Sequence, residues 1–254
     1  MTVAACAALV ERGDPDRFLA TMAAPPAARA VLFPLYAFNL EVARAPWLTQ
    51  ESIIAEMRLQ WWRDALEEIA SGQPVRRHEV TTPLAEAIDA QTARKLDETV
   101  AARRWDIYKN PFEDAANFEA YLDQTAGTLL WAAVTSLGPA QERTIRDLAY
   151  AQGLANWLRA IPELEARGRI PLLDGTAKGV RSLAGTGLER LGRARADRSA
   201  VSPMARPALL AAWEAGPILR QARADPSAVA EGRLGQSPAR KRLSLIARAT
   251  TGRW

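Results

Sequence analysis

Few side chains in this chain are of a type and spacing that can do chemistry. Asp64, Glu67 and Glu68 fall within one helical turn, close enough to share a divalent cation. They follow Trp61-Trp62 on an amphipathic segment, however, and a solvated helix face accounts for them more simply. Glu113 and Asp114 lie just past Asn110-Pro111 and read as first-turn helix charge. His78 is the only histidine and lies in the polar run Arg76-Arg77-His78-Glu79. A single histidine excludes a His-rich zinc site and leaves little room for a histidine-activated nucleophile, so His78 reads as a solvated loop residue. Cys6, the only cysteine, excludes an internal disulfide and a thiolate metal cage. Arg58, Arg159 and Arg169 can grip a phosphate, or equally serve in ion pairs between helices.

Apolar residues recur at helical spacing along nearly the whole chain. Asp14-Pro15 opens a helix carrying Phe18, Leu19 and Met22, and Pro25-Pro26 closes it. A second runs from Ala30 to Val42. A third is capped by Thr49, with Ile54, Met57, Trp61 and Ala65 on one face and Gly72 with Pro74 at its end. Thr82-Pro83 starts a helix through Ile88, Leu96 and Val100 toward Trp105. The stretch from Asn110-Pro111 to Gly138-Pro139 holds Phe118, Tyr121, Leu129 and Trp131. A long helix from Gln141 to Arg159 should break or kink at Pro162. Further helices are expected near 186–196, 205–222 and 226–248. With no strand pattern or linker, residues 1–254 are expected to form one all-α domain, in which the helices near 30–45 and 141–160 face each other.

The 254 residues are 48% hydrophobic and 24% charged, an ordinary globular balance, and no apolar run reaches the ~18 residues of a membrane span. The net charge of +4 and pI near 9.6 permit weak attraction to anionic lipid or nucleic acid. The basic residues are interleaved with acids and no nucleic-acid motif appears, so no nucleic-acid partner is expected. The start of the chain shows neither a secretory signal nor an Arg- and Ser-rich presequence, which points to the bacterial cytoplasm or to an already trimmed organellar protein, with peripheral membrane contact as a further expectation.

Four segments, in order, carry a resemblance. They are Leu32-Phe33-Pro34-Leu35-Tyr36-Ala37-Phe38, Arg58-Leu59-Gln60-Trp61-Trp62-Arg63-Asp64, the stretch from Tyr121 ending Thr125-Ala126-Gly127, and Asn156 to Arg169. Over most of residues 14 to 175 the chain resembles the squalene/phytoene synthase family. The resemblance implies a single-domain isoprenoid-synthase-like helical bundle. Active members join two prenyl diphosphates head to head, using Mg²⁺ held by two aspartate-rich motifs to draw off the diphosphate.

At those motifs this chain departs from the family. Aspartates would fall at Ala43, Arg44 and Trp47 in the first motif, and at Ala160 and Leu164 in the second. None of these is acidic, and only Glu41, Glu163 and Glu165 remain nearby. The pattern is similar to the family's non-catalytic branch, which contains the mitochondrial assembly factor for respiratory complex I. The likeness lies in Ala37-Phe38-Asn39 followed by Glu41, in Ala151-Gln152-Gly153 and in Leu158-Arg159-Ala160. It implies a binding or assembly scaffold without metal or catalytic residues, whose partner is a respiratory-complex subunit or a prenyl or lipid-like ligand. The remnant pocket would be formed by Tyr36, Asn39, Ala43, Arg44, Arg58, Tyr121, Asn156, Arg159, Ala160 and Leu164. It should be less negative than a synthase site, with Arg44 and Arg159 as its charges. The alternative is a head-to-head prenyltransferase, for which Mg²⁺ would be required. A peripheral lipid carrier is a third class, and its mark would be a basic face beside the cavity mouth.

Overall fold

The computed structural model describes residues 2–254, and among them there is no strand, only an isolated bridge between Ala140 and Val201. Thr2 caps α1 (Val3–Gly13), and Asp14 caps α2 (Pro15–Met22) by accepting a hydrogen bond from the Arg17 amide. The Pro25-Pro26 pair does more than close α2. Pro26 occupies the first position of α3 (Pro26–Arg44), where a missing amide costs nothing, so this helix begins ahead of the expected Ala30.

Thr49 does not cap the next helix. Its hydroxyl accepts from the Glu51 amide one turn early, and α4 (Ser52–Ser71) begins without a side-chain cap. The inward face of α4 is Ala55, Leu59, Trp62, Ala65 and Leu66, so Ala65 of the expected face is buried whereas Met57 is 67% exposed. The expected face was thus turned too far round the helix, because Trp61 and Trp62 are adjacent and only one can be fully buried. Gly72 ends α4 in the left-handed region (φ 68°), which favours glycine there.

The helix expected from Thr82 toward Trp105 is two. After α5 (Thr81–Ala87) the chain extends at Ile88, and Asp89 caps α6 (Ala90–Ala102) through the Thr92 amide. Asp114 caps α7 (Ala115–Leu122), which continues through a π-helical turn, Asp123–Gly127, into α8 (Thr128–Thr135).

The central element is α9 (Glu142–Ala166), which packs against α8, the π turn, α10 (Ala177–Ala196) and α12 (Ala215–Ala224). Such enclosure explains why α9 is apolar on nearly every side and why its buried polar residues all have partners. Asp147 receives two hydrogen bonds from Arg193, and Gln152 donates to the Ala211 carbonyl. Gly153 is needed for close approach, since a Cβ there would lie 2.7 Å from that of Ala126. Of the break or kink expected at Pro162, the break does not occur, and α9 runs on past it. Ile161 and Leu164 are buried on either side of it, and their packing carries the helix past the lost backbone bond to Ala166.

Beyond α9 the helices are more broken than their periodicity implies. Residues 205–222 divide into α11 (Arg206–Leu209), a 3₁₀ turn and α12, and residues 226–248 into α13 (Ser227–Ala230) and α14 (Pro238–Thr251). One continuous buried cluster runs from Cys6 to Trp254, with a small satellite of Ala20, Leu210, Trp213 and Leu245 beneath α14. No helix of the described residues is long and apolar enough to cross a membrane.

Candidate functional site

A cavity of about 780 Å³ lies between α3 and α9, with α2, the turn after α6 and the π turn completing its wall. The two long helices therefore face each other across a void. Asn39, Ala43 and Arg44 enter from α3, Tyr121 from α7, and Asn156, Arg159, Ala160 and Leu164 from α9. Eight of the ten pocket residues read from the sequence thus meet at one site.

The other two lie elsewhere. Tyr36 is 2% exposed in the core, its ring covered by the Arg17 guanidinium 5.0 Å from the centroid. Its hydroxyl has no hydrogen-bond partner among the described residues, and burial pushes its pKa up to about 12. Arg58 is exposed on α4, at the edge of the face that buries Leu59 and Trp62, and does not line the cavity.

The cavity wall is more charged than Arg44 and Arg159 alone would make it. Five arginines (17, 44, 103, 159 and 167) and four carboxylates (Asp14, Asp16, Asp106 and Glu163) line it. Each of the four acids is held by a cation. Asp14 pairs with Arg17 at 3.0 Å, Asp16 with Arg159 at 3.0 Å and Lys241 at 2.8 Å, Asp106 with Arg103 at 3.1 Å, and Glu163 with Arg167 at 2.6 Å. Arg44 pairs with Glu41 at 3.0 Å. Between these pairs the wall is formed by the apolar Leu40, Leu122, Leu129 and Trp157 together with the polar Asn39, Thr125 and Asn156.

Four groups were not singled out from the sequence: Asp16, Arg17, Arg103 and Asp106. The cap at Asp14-Pro15 marked the start of α2, but its position beside α9 is a tertiary fact no local pattern carries. Beneath the cavity, Asp106 is 3% exposed and accepts from the Tyr121 hydroxyl at 3.0 Å and from Arg103 at 3.1 Å. Burial raises the Asp106 carboxyl above the ordinary range, with Arg103 pulling it back. Arg103, by contrast, is lowered by burial but raised overall by Tyr121 and Asp106. The two shifts favour opposite charge states at Asp106. Both donors point at the carboxylate oxygens, which fits an ionised acid held at a cost. Arg169 donates to the main-chain carbonyls of Trp105, Asp106 and Tyr108, so it braces this turn and does not reach the cavity as a phosphate grip.

The remaining candidates resolve into structural roles. Arg76 clamps Glu68 through bonds as short as 2.6 Å, and Asp64 accepts from Gln60, so that acidic face is an ion-paired surface. His78 is more than a solvated loop residue: its ring packs edge-on against Trp61 and Trp62, and Nδ1 accepts from the Val80 amide. Cys6 is buried, with its thiol pushed up to about 11 by burial.

Magnesium does not fit these residues. Trp47, at one of the expected aspartate positions, lies under the Arg167 guanidinium at 4.6 Å. No group of three His, Cys, Asp or Glu side chains able to hold a metal ion occurs among the described residues. A cation entering the cavity would have to displace an arginine or lysine from every carboxylate it used.

The Squalene/phytoene synthase family model matches residues 10–173. The chain belongs to the squalene/phytoene synthase family. Among its relatives, the Drosophila melanogaster homolog of NADH dehydrogenase (ubiquinone) complex I, assembly factor 6 is 31% identical over 205 residues, 77% of this chain and 60% of that protein. The Homo sapiens assembly factor 6 is 26% identical over 170 residues, 65% of this chain and 51% of that protein. The chain thus spans only half to three-fifths of the length of these relatives. A dehydrosqualene synthase solved with ligand shares the fold at a TM-score of 0.77 and 18% identity, over 98% of this chain and 95% of that one. A squalene synthase from Alicyclobacillus acidocaldarius does so at 0.67 and 18%, over 87% and 93%. The all-α fold and the family read from the sequence are both found.

Asp16 ties this cavity to the C-terminal helix, and its titration should be visible. Burial alone would raise its pKa, but hydrogen bonds from Lys241 and Arg159 outweigh it and hold the carboxyl below the ordinary 3.8. A depressed carboxyl stabilises the fold above its unfolded pKa, and that contribution is lost as pH falls through the folded value. Acidification below 3.8 should therefore release Lys241 first, raising amide hydrogen exchange across residues 238–251 ahead of α9. Asp16→Asn should give fast exchange there already at neutral pH. Equal protection in both proteins across the range would refute the link.

Proposed function

We propose that this protein is a non-catalytic member of its family that acts as a binding or assembly scaffold, in the assembly of respiratory complex I. The observation that carries this reading is the fate of the carboxylates. Ala43, Arg44, Trp47, Ala160 and Leu164 stand where the resemblance places aspartates, and every acid on the cavity wall is engaged by arginine or lysine. The names of the fly and human relatives support the same direction. Deleting the gene in its source organism should lower the amount of assembled complex I; unchanged assembly would refute the role.

The cavity is retained although its metal ligands are not. Its volume of about 780 Å³ is within the range of small-molecule sites, and its wall alternates apolar side chains with neutralised ion pairs. Such a site takes a prenyl chain or lipid tail by burial of apolar surface alone. Binding of a fluorescent prenyl or lipid probe should therefore be the same with and without EDTA. Binding abolished by chelation would instead favour the second reading, a head-to-head prenyltransferase, whose fold this chain shares.

A further inference from the structure

From Gly232 to Trp254 the chain contains no acidic residue, and α14 carries Arg240, Lys241, Arg242 and Arg248 within 14 residues. Its two sides differ sharply. The inner side is fastened to the body: Leu245 packs with Ala20, Leu210 and Trp213, and Lys241 donates to both Asp16 oxygens at 2.8 Å. The outer side is uncovered among the described residues. Ala239, Leu243, Ile246 and Thr250 recur at three- and four-residue spacing and form one exposed stripe, with Leu243 69% and Ile246 59% exposed. Arg240 flanks this stripe on one side and Arg242 on the other, and neither makes an ion pair among the described residues.

We propose that the outer face of α14 docks the protein on an anionic lipid bilayer, with Leu243 and Ile246 entering the acyl boundary and Arg240 and Arg242 meeting the phosphate headgroups. At 14 residues the helix is about 21 Å long, too short to span and suited to lying in the interface. Two large apolar residues form too small a core for a stable protein interface, which needs about 800 Å² from each partner. A bilayer requires no such core, because the charge on both flanks supplies the remaining attraction.

The surroundings add to the positive field. Arg248 neighbours Arg195, Arg198 and Arg220, and none of these four forms an ion pair among the described residues. Burial and then the three neighbouring arginines push Arg195 down to about 10, and Glu214, which pairs with Lys241, is the counter-charge beside Arg248. Docking in this way does not depend on what the cavity binds. It does set the cavity close to the membrane, since Asp16 holds Lys241 of α14 and Arg159 of the cavity wall together.

Vesicle flotation of the full chain tests the proposal. The protein should float with phosphatidylcholine vesicles containing phosphatidylglycerol, should stay behind with phosphatidylcholine alone, and should dissociate in high salt. Arg240→Gln/Arg242→Gln and Leu243→Ser/Ile246→Ser, all at exposed positions, should each lower partitioning about tenfold or more. Arg143→Gln/Arg181→Gln removes the same charge from exposed sites on α9 and α10 and should leave partitioning near wild type. Flotation that is absent, equal on neutral vesicles, or reduced as much by the control pair as by the α14 pairs would overturn the assignment.

Discussion

Purified protein given Mg²⁺ and farnesyl or geranylgeranyl diphosphate should form no squalene- or phytoene-type product above a heat-killed control. Ionising an allylic diphosphate separates charge inside an apolar cavity, and the leaving group carries several negative oxygens. An enzyme lowers that barrier with divalent cations fixed at the developing charge. Here the positions that would hold them are Ala43, Arg44, Trp47, Ala160 and Leu164, and of the acids that remain Glu41 and Glu163 are paired with arginine while Glu165 is exposed on α9 and does not line the cavity. Arginines can bind a diphosphate, but each of the five on this wall already serves a carboxylate. The expected effect is loss of the whole catalysed rate, at least about 10⁶-fold against an active synthase. Product formed in proportion to protein and dependent on Mg²⁺ would overturn the non-catalytic reading.

What was legible in the sequence divides along a physical line. Helix periodicity and proline caps are local, so α2 and α9 are found close to where the residues place them, whereas Glu113 and Asp114, read as first-turn charge, precede α7, and Asp114 is its cap. Asn39, Ala43, Asn156 and Ala160 could be assigned to one pocket because the resemblance fixed which helix faces meet. The errors came where tertiary packing decides. Pro162 breaks or kinks a helix by local rule, and buried neighbours carry α9 unbroken through it. Tyr36 lies one turn before Asn39 on α3, so spacing alone assigns it to the cavity. Arg17, from another helix, closes that end. Asp16 and Lys241 are 225 positions apart, and no pattern in either segment announces their contact. The polar network at Asp106 was equally hidden, since an acid in Arg103-Arg104-Trp105-Asp106 reads as surface until Tyr121 and Arg103 are seen to close over it.

Replacing Asp106 by alanine should destabilise the fold by about 3–5 kcal/mol, a large part of the ~5–15 kcal/mol that holds a typical domain together. The carboxylate is 3% exposed and receives hydrogen bonds from Tyr121 and Arg103. Without it, the Arg103 guanidinium stays in the wall with no counter-charge, and its Nε already lacks a partner. The Arg44–Glu41 pair offers the contrast: Arg44 is 47% exposed, and Glu41→Ala should cost no more than about 1 kcal/mol. The raised pKa of Asp106 sharpens the expectation. A carboxyl whose folded pKa lies above the unfolded one favours the fold at low pH, and that contribution is lost as pH rises through the folded value. A buried ion pair is held at a desolvation cost that a well-packed apolar substitute does not carry. Removing both charges, as in Arg103→Met/Asp106→Leu, should accordingly recover much of what Asp106→Ala loses. Denaturant midpoints at unchanged slope would measure both variants. Additive losses in the double variant would mean that the pair contributes net stability. Loss of under about 1 kcal/mol from Asp106→Ala would mean that water reaches Arg103 and the network is not sealed.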